Sequence, residues 1–466
     1  MNRMEEYQAL RATAEQPAAG LEDTLTRARK RLRRRRAMVL RPLTGLAACF
    51  AVFVVLVNFC APVAYACSKV PGLRELAEAV TFSRSLTDAV NNEYVQPIDL
   101  KQTQNSITAS VEYLIVDQKQ VNVFFRLDSD QYSGLGVDPD VSHPDGKERI
   151  GSCSWGLNDW DVPNGELQSV TLEVFEGDVP DCILLELDVY LQHSLDYTQP
   201  PEPSDCSDVL FEDHSTARER DYLAQFDFQL SFDPTFTAKA KIYPVEQTVE
   251  LDGNAVTIRQ VEVYPTHLRV IVEDDANNAA ELQRLYFYIE TDWGMKFNTE
   301  SNGTVSFSTV GSPVTTYRAD STYFYKADHL RMVITGAEWL DRDMETVYVN
   351  LATGETDPLP EGVEFLSAEK YPEGWIVTFK AEQRKWSSEA DMVSHQLFSH
   401  SYVGADGTEG EIRSWTSGGT VLEEGEWETH FTEQFPLTGY HNDEVWLKPQ
   451  YSHTWQAENP MIIIVQ

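Results

Sequence analysis

Few groups of side chains in this sequence have the types and spacing that catalysis requires. "SAEK" (Ser367 to Lys370) places a serine three residues before a lysine, the pair that penicillin-binding enzymes use for acyl transfer. The SDN and KTG segments that complete such a site are missing from the sequence, and SAEK falls in an expected β-hairpin. HExxH, GxSxG and the phosphate-binding loop are missing as well. The sequence therefore predicts that the protein is not an enzyme.

The residues that could hold a metal are also poorly arranged. His395 and His400 lie in "SHQLFSHSY", and in a strand their spacing puts them on opposite faces. The Asp-rich loop from Asp128 to Asp145 offers carboxylates for calcium but lacks the EF-hand spacing. A solvated loop is the preferred interpretation. The sequence predicts neither a metal nor any other cofactor.

The cysteines outside a long apolar run could form disulfides if that part of the chain is extracellular. They are Cys67, Cys153, Cys182 and Cys206, which allow three connectivities. Cys153 with Cys182, or Cys182 with Cys206, is the favoured pairing. The choice between them stays open.

The apolar run extends from Leu43 to Ala66 without a charged residue. As a helix it would reach roughly 36 Å, enough to cross a hydrocarbon core of about 30 Å. A signal peptide has a shorter core nearer the N-terminus, so we expect a permanent transmembrane helix at 43–66. Cleavage after the "AYA" of Ala64 to Ala66, and lipidation of Cys67, stay open as alternatives.

Charge predicts which side of the membrane each part occupies. Residues 1–42 hold eleven of the 37 basic residues and five of the 74 acidic ones, so residues 67–466 carry a net charge of −43. Because positive residues beside a span stay cytoplasmic, we expect a cell-membrane protein with a cytoplasmic N-terminus and extracellular C-terminal domains. The acidic exterior disfavours nucleic acid as a partner.

The cytoplasmic segment, residues 1–42, is expected to contain short helices with an apolar stripe and a basic end. About forty residues cannot build their own core, so the stripe must contact a partner or stay loose. Three interpretations remain open: a protein groove that accepts a helix, anionic lipid at the inner membrane surface, or a basic run that serves only as a topogenic signal. The stripe consists of Met4, Tyr7, Leu10, Leu21, Leu25, Ala28 and Leu32, and the basic residues are Arg33, Arg34, Arg35 and Arg36.

The region beyond the span alternates short β-type runs with turn signals, which is typical of antiparallel sandwiches. "VEVYPTHLRVIV" (Val261 to Val272) and "AEKYPEGWIVTF" (Ala368 to Phe379) resemble two copies of one hairpin. We therefore expect a mainly β protein with tandem immunoglobulin-like sandwiches. The expected segments are a membrane-proximal amphipathic helix at 67–96, then sandwiches at 97–236, 237–354 and 355–466.

Four stretches together resemble an uncharacterised family of single-span proteins from Gram-positive bacteria: "MNRMEEYQAL", "TRARKRLRRRR", "LAACFAVFVVLVNFCAPVAYA" and "VPGLRELAEAVTFSRSLTDAVNNEYVQ". The conserved region of that family is a domain of unknown function covering the span and the first outer sandwich, and the later sandwiches resemble the immunoglobulin-like domains often appended to it. Some members are encoded beside extracytoplasmic-function sigma factors and are described as anti-sigma-factor candidates. The family supplies no known catalytic residues.

That resemblance implies that a sigma factor is the partner of the cytoplasmic segment. Residues 1–42 contain neither His nor Cys, so a zinc-dependent sigma-binding module is excluded and binding would depend on the short helices. The leading expectation is a transmembrane regulator that binds an unknown extracellular ligand and holds a sigma factor inside. The alternative is a surface adhesion or structural protein whose N-terminal segment is only an anchor.

Overall fold

A computed structural model describes residues 3–15, 73–132, 134–154, 164–191, 221–234, 237, 239–298, 304–309, 311–382, 396–413, 416–418 and 430–466. These residues fall into two compact units, divided between Arg74 and Glu75. The helices are α1 (Arg3–Glu15), α2 (Leu73–Ala79) and α3 (Arg84–Asn91). The expected transmembrane helix at 43–66 lies outside the described residues. Among the residues that are described, no helix is both long and apolar enough to cross a membrane.

Strands β7 (Cys182–Leu191) and β8 (Tyr222–Ser231) of the first sandwich alternate buried and more exposed residues. In β7, for example, Ile183, Leu185, Leu187 and Val189 are buried and the residues between them are not, as a half-buried strand requires. One sheet has the order β1-β2-β3-β6-β5 and the other β4-β7-β8. The strands are β1 (Gln96–Gln104), β2 (Ile107–Val116), β3 (Gln120–Ser129), β4 (Leu135–Ser142), β5 (Ser152–Ser154), β6 (Gln168–Glu173), β7 (Cys182–Leu191) and β8 (Tyr222–Ser231).

Side-chain amides of β1 cover the outer edge of β8. Gln96 Nε2 donates to the Ser231 carbonyl at 3.0 Å, and Gln96 Oε1 accepts from the Asp233 N–H at 2.9 Å. Gln104 Oε1 accepts from the Gln225 N–H at 2.9 Å. These side chains therefore bond to backbone groups that a neighbouring strand would otherwise pair. Gln102 and Asn105 donate in the same way to the carbonyls of Asp227 and Leu223.

The second sandwich packs a sheet of order β14-β15-β11-β10-β9 on one of order β13-β12-β16-β25. Its core contains the fully buried Trp339 and Phe297. The strands are β9 (Lys241–Leu251), β10 (Asn254–Val263), β11 (Leu268–Asp274), β12 (Ala280–Thr291), β13 (Lys296–Phe297), β14 (Ser306–Ser308), β15 (Val314–Ala319), β16 (Leu330–Asp341) and β25 (His453–Ile464).

The third sandwich has sheets of order β17-β24-β20-β21 and β18-β19-β23-β22 around an aromatic core that includes Phe379, Phe398 and Phe435. The strands are β17 (Val347–Asn350), β18 (Val363–Tyr371), β19 (Gly374–Glu382), β20 (Phe398–Gly404), β21 (Glu409–Glu411), β22 (Thr416–Gly418), β23 (His430–Thr438) and β24 (Glu444–Pro449). The two predicted hairpins, β10–β11 and β18–β19, are antiparallel pairs.

The pairing of β25 changes the division between the last two sandwiches. β25 pairs with β16, and its Ile463 is buried in the second core. The third sandwich is thus inserted between two neighbouring strands of the second. The sequence analysis assigned 355–466 to the third sandwich, but the pairing places His453–Ile464 in the second and β17 in the third. A mainly β protein with several antiparallel sheets, as predicted, is confirmed.

The expected amphipathic helix at 67–96 is divided in two. Its apolar positions Leu76, Val80, Leu86 and Val90 are buried, as their spacing predicts. The break falls at Ser83, whose backbone is extended and whose hydroxyl accepts a hydrogen bond from the Leu86 N–H at 3.3 Å. A serine in this position satisfies an otherwise unpaired N–H at the start of the second helix.

Candidate functional site: a helix brace between two sandwiches

The helices α2 and α3, here called the brace, contact both the first and the second sandwich. On the first sandwich, Arg126 of β3 forms ion pairs with Glu75 of α2 and, at 2.7 Å, with Glu112 of β2. Just after α3, the Tyr94 hydroxyl donates to the Val116 carbonyl at 2.8 Å. These contacts attach both ends of the brace to one sheet.

On the second sandwich, the first residue of α3 makes the closest approach. Arg84 Nη1 donates to the Lys296 carbonyl at 2.6 Å, and the guanidinium carbon lies 4.0 Å from the centre of the Phe297 ring. This cation–π contact is favourable because the ring face is electron-rich. Arg84 thus fixes α3 against the short edge strand β13.

Two further hydrogen-bonded groups complete this contact. The Ser85 hydroxyl donates to Asp320 Oδ1 at 3.2 Å and accepts from the Ser321 N–H at 2.9 Å. One turn later, the Tyr325 hydroxyl donates to Asp88 Oδ2 at 2.8 Å. The same face of α3 is therefore bonded twice to the segment that follows β15.

Burial raises the pKa of both carboxyl groups in this contact. The pKa of Asp320 rises to about 6, because the desolvation outweighs the opposing effects of Arg84 and Ser85 and because the Asp88 charge adds to it. The pKa of Asp88 is raised by burial too, against the effects of Tyr325 and Arg84. The Arg84 guanidinium thus lies close to two carboxyl groups, those of Asp88 and Asp320. Because the pKa of Asp320 is about 6, the charge of this contact changes near neutral pH.

Beyond the brace, the two sandwiches share a buried ion pair. Glu173 of β6 and Arg318 of β15 are 2% and 1% exposed and lie in direct contact. The Glu173 carboxylate also accepts from the Thr304 N–H at 3.0 Å, and Arg318 donates to Gln120 of β3. Buried charges persist only when they are paired and hydrogen-bonded in this way.

A second buried chain of polar groups runs beside that pair. Asp117 accepts from the Thr266 hydroxyl at 2.6 Å, Thr266 contacts His267, and Arg269 Nε lies 3.1 Å from His267 Nε2. Burial raises the pKa of Asp117, although the Thr266 hydrogen bond opposes the shift. Burial, together with Arg318 and Arg269, holds the pKa of His267 well below its usual value. Neutral imidazole is the form that this interface accommodates.

The site consists of contacts between segments of the protein. In the described ranges no group of three or more His, Cys, Asp or Glu side chains is placed to hold a metal ion. Two shallow surface hollows, of about 610 and 410 Å³, lie beside Phe365 and Asn278. The site joins the brace to both sandwiches through hydrogen-bonded and ionised side chains. A displacement of either sandwich can therefore be transmitted to the brace.

The cytoplasmic stripe predicted from the sequence is described only at its beginning. Met4, Tyr7 and Leu10 lie in α1, and their side chains are between 63 and 69% exposed. The remaining predicted site residues of this segment lie outside the described residues. They are Leu21, Leu25, Ala28 and Leu32 of the stripe and the basic residues Arg33, Arg34, Arg35 and Arg36.

The cysteine prediction needs a correction. Cys182 of β7 carries a free thiol, with Sγ 3.5 Å from Gln229 Nε2 and 3.6 Å from Ser231 Oγ of the adjacent strand. Both favoured disulfides involve Cys182, so neither is formed in this structure. Cys153 lies in β5, and Cys206 is outside the described residues.

The sequence analysis missed the groups that join the sandwiches. Asp117, Glu173, His267 and Arg318 are all buried, yet the local sequence shows each only as an ordinary polar residue in a strand or next to one. A signal did exist, because Glu173 ends an otherwise fully buried strand and Arg318 lies between buried Tyr317 and Ala319. A charge at such a position requires a partner, which local sequence cannot identify.

One family model matches part of the chain. Residues 34–129 match the family model described as "Domain of unknown function (DUF4179)". No curated protein matches the chain. Among solved structures, the conserved domain protein from Bacillus anthracis is 12% identical, with 57% of this chain and 85% of that chain covered and a TM-score of 0.35. A marsupial T cell receptor is 8% identical, with 78% and 99% covered and a TM-score of 0.16.

Proposed function

We propose that this chain is a single-pass membrane regulator that holds a sigma factor through its N-terminal helix and binds a ligand with its outer sandwiches. The observation that carries the proposal is the exposure of Met4, Tyr7 and Leu10 in α1. Their spacing places all three on one side of the helix. An apolar side of this kind is the surface that a protein groove accepts.

The brace supports a further part of the proposal, namely that ligand binding by the sandwiches is coupled to the membrane segment. Six residues, 67–72, separate the expected transmembrane helix from α2. α3 in turn is bonded to the second sandwich through Arg84, Ser85 and Asp88. A ligand that displaced the sandwiches would therefore act on the segment nearest the membrane. The family match at 34–129 covers this same region, although its description names no activity.

The test is co-purification of the tagged full-length chain from the membranes of its source cell. We expect a sigma factor to be recovered with the unchanged chain. We expect its recovery to fall at least tenfold in a Met4→Ala/Tyr7→Ala/Leu10→Ala variant, which removes the exposed stripe. Glu5→Ala/Gln8→Ala is the matched control, because it alters α1 outside the stripe and should leave recovery unchanged.

A reporter for the promoter that this sigma factor serves gives the functional measurement. Loss of the stripe should raise transcription if the helix restrains the factor. Unchanged transcription and an equal yield of protein in all variants would instead favour the surface adhesion or structural role, with residues 1–42 acting only as an anchor.

A further inference from the structure

Exposed apolar side chains gather at one end of the second sandwich. Trp293 and Met295 lie in the turn between β12 and β13, and Ile462 and Ile464 lie at the end of β25; their exposed fractions are between 38 and 60%. These four residues are called the apolar tip. Exposed apolar groups in one place commonly mark a surface that contacts another molecule or a membrane.

Strand pairing shows that the four residues share one end of the sheet. Thr291 lies opposite Leu330, and the next residue, Arg331, lies opposite Ile464. The Asp292 N–H donates to the His329 carbonyl at 3.1 Å, which joins the turn to the start of β16. The turn and the end of β25 thus flank the same end of β16.

Local structure keeps these side chains out of the core. Ile462 and Ile464 alternate with Ile463, which is fully buried, so they point to the outer face of the sheet. The turn is closed by the Met295 N–H, which donates to the Thr291 hydroxyl at 3.1 Å, and by Gly294 at φ +85°. This tight turn presents Trp293 at its projecting end.

The tip lies beside the start of α3, and a short stretch of sequence joins α2 to the expected span. Arg84 at the start of α3 donates to the carbonyl of Lys296, which directly follows Met295. Six residues separate Ala66 from Leu73, and even a fully extended connection of that length reaches only about 25 Å. The covalent connection therefore holds the start of α2 within that distance of the end of the expected span.

We infer that the apolar tip rests on the outer surface of the lipid bilayer, with Trp293 in the interfacial layer. This inference depends on the membrane anchorage in the proposed function. Tryptophan favours the interface because its ring is apolar and its N–H can stay hydrated. Met295, Ile462 and Ile464 supply further apolar contact. Lys296, whose ammonium lies 4.4 Å from the Tyr288 ring centre, adds beside the tip a positive charge that lipid phosphates attract.

Quenching of tryptophan fluorescence by brominated lipid tests the inference on the full-length chain. Bromine on the acyl chains quenches only tryptophans in contact with them, and the expected span at 43–66 contains no tryptophan. The protein is reconstituted into phosphatidylcholine vesicles with or without brominated chains. We expect brominated lipid to lower the emission of the unchanged protein, and Trp293→Phe to abolish most of that decrease.

Trp446→Phe is the matched control, because Trp446 is half-buried in the third sandwich and its loss should leave the bromine-dependent decrease intact. Flotation of the vesicles distinguishes a failure of the proposed membrane anchorage from a failure of the inference about the tip. Protein that does not float would refute both the anchorage and the inference. Protein that floats but shows equal bromine-dependent quenching with and without Trp293, or none, would overturn the inference alone and assign the tip to a protein contact.

Discussion

Asp320 is the side chain in the brace contact whose charge changes nearest to neutral pH. Its pKa is raised to about 6 by burial, so the folded protein holds this proton more tightly than the unfolded chain does. The protonated Asp320 therefore contributes its full stabilisation of the folded state below the unfolded pKa of about 4. This contribution is lost as the pH rises through about 6.

Asp320→Asn should remove this dependence while keeping an oxygen for the Ser85 hydroxyl. Between pH 4 and pH 7.5, we expect the free energy of unfolding of the unchanged protein to fall relative to the variant by at most about 3 kcal/mol. Chemical denaturation at the two pH values measures the difference. A constant difference between the two proteins would show that Asp320 ionises normally.

The ion pair between Glu173 and Arg318 should be costly to break on one side only. Glu173→Ala removes the carboxylate from a guanidinium that is 1% exposed, and we expect a loss of about 3–5 kcal/mol in the free energy of unfolding. The double variant Glu173→Leu/Arg318→Met should lose less than the single one, because it leaves no unpaired charge at this position. Denaturant unfolding of both variants tests this order. The exposed ion pair of Arg413 and Glu411 provides the control, because Glu411→Ala should change the free energy of unfolding only slightly.

At the scale of the elements, the brace depends on a few hydrogen bonds between segments that are distant in sequence. Tyr325→Phe removes the bond to Asp88 and should weaken the attachment of α3 by about 1 kcal/mol. Backbone amides of Arg84–Asn91 should then exchange hydrogen roughly fivefold faster, as mass spectrometry of that peptide can measure.

Tyr222→Phe is the matched control for this experiment. Its hydroxyl donates to Asp138 at 3.1 Å on the first sandwich, so its loss should leave exchange in α3 unchanged. Equal exchange in α3 for the Tyr325 variant and the unchanged protein would mean that the second sandwich does not hold the brace.

Most helices and strands could be predicted from the sequence, but the segments that each of them contacts could not. Alternating apolar residues in β7 and in the two hairpins predict strands, and the spacing of Leu76, Val80, Leu86 and Val90 predicts a buried helical face. The division at Ser83 follows from its capping hydroxyl, which the apolar pattern does not show. The bond between Ser85 and Asp320 joins residues far apart in the chain, so no local pattern could have indicated it.

At the scale of the molecule, the third sandwich is an insertion that begins and ends on paired strands. Trp339 of β16 lies opposite His453 of β25, so the two connections leave the second sandwich side by side. Its own core shares no residue with the second core. The segment of β25 was predicted to belong to the third sandwich because neighbouring segments usually belong together, whereas its pairing with β16 spans the whole insertion.

Removal of the insertion tests that description. Replacing residues 342–450 with Asn-Gly would join β16 to β25 through a two-residue turn, which suits an antiparallel pair. We expect the shortened chain to keep its β-rich circular dichroism spectrum and a cooperative unfolding transition. A shortened chain with no transition would show that the second sandwich cannot fold without the third.

The amides that cover β8 have a consequence for crowded molecules. An uncovered strand edge recruits the edge of a neighbour, and copies at high local concentration would meet often enough to form intermolecular sheets. The carbonyl of Ser231 and the N–H groups of Asp233 and Gln225 are already bonded to Gln96 and Gln104. The glutamine side chains of β1 thus leave fewer backbone groups at this edge for a neighbouring copy of the chain to pair.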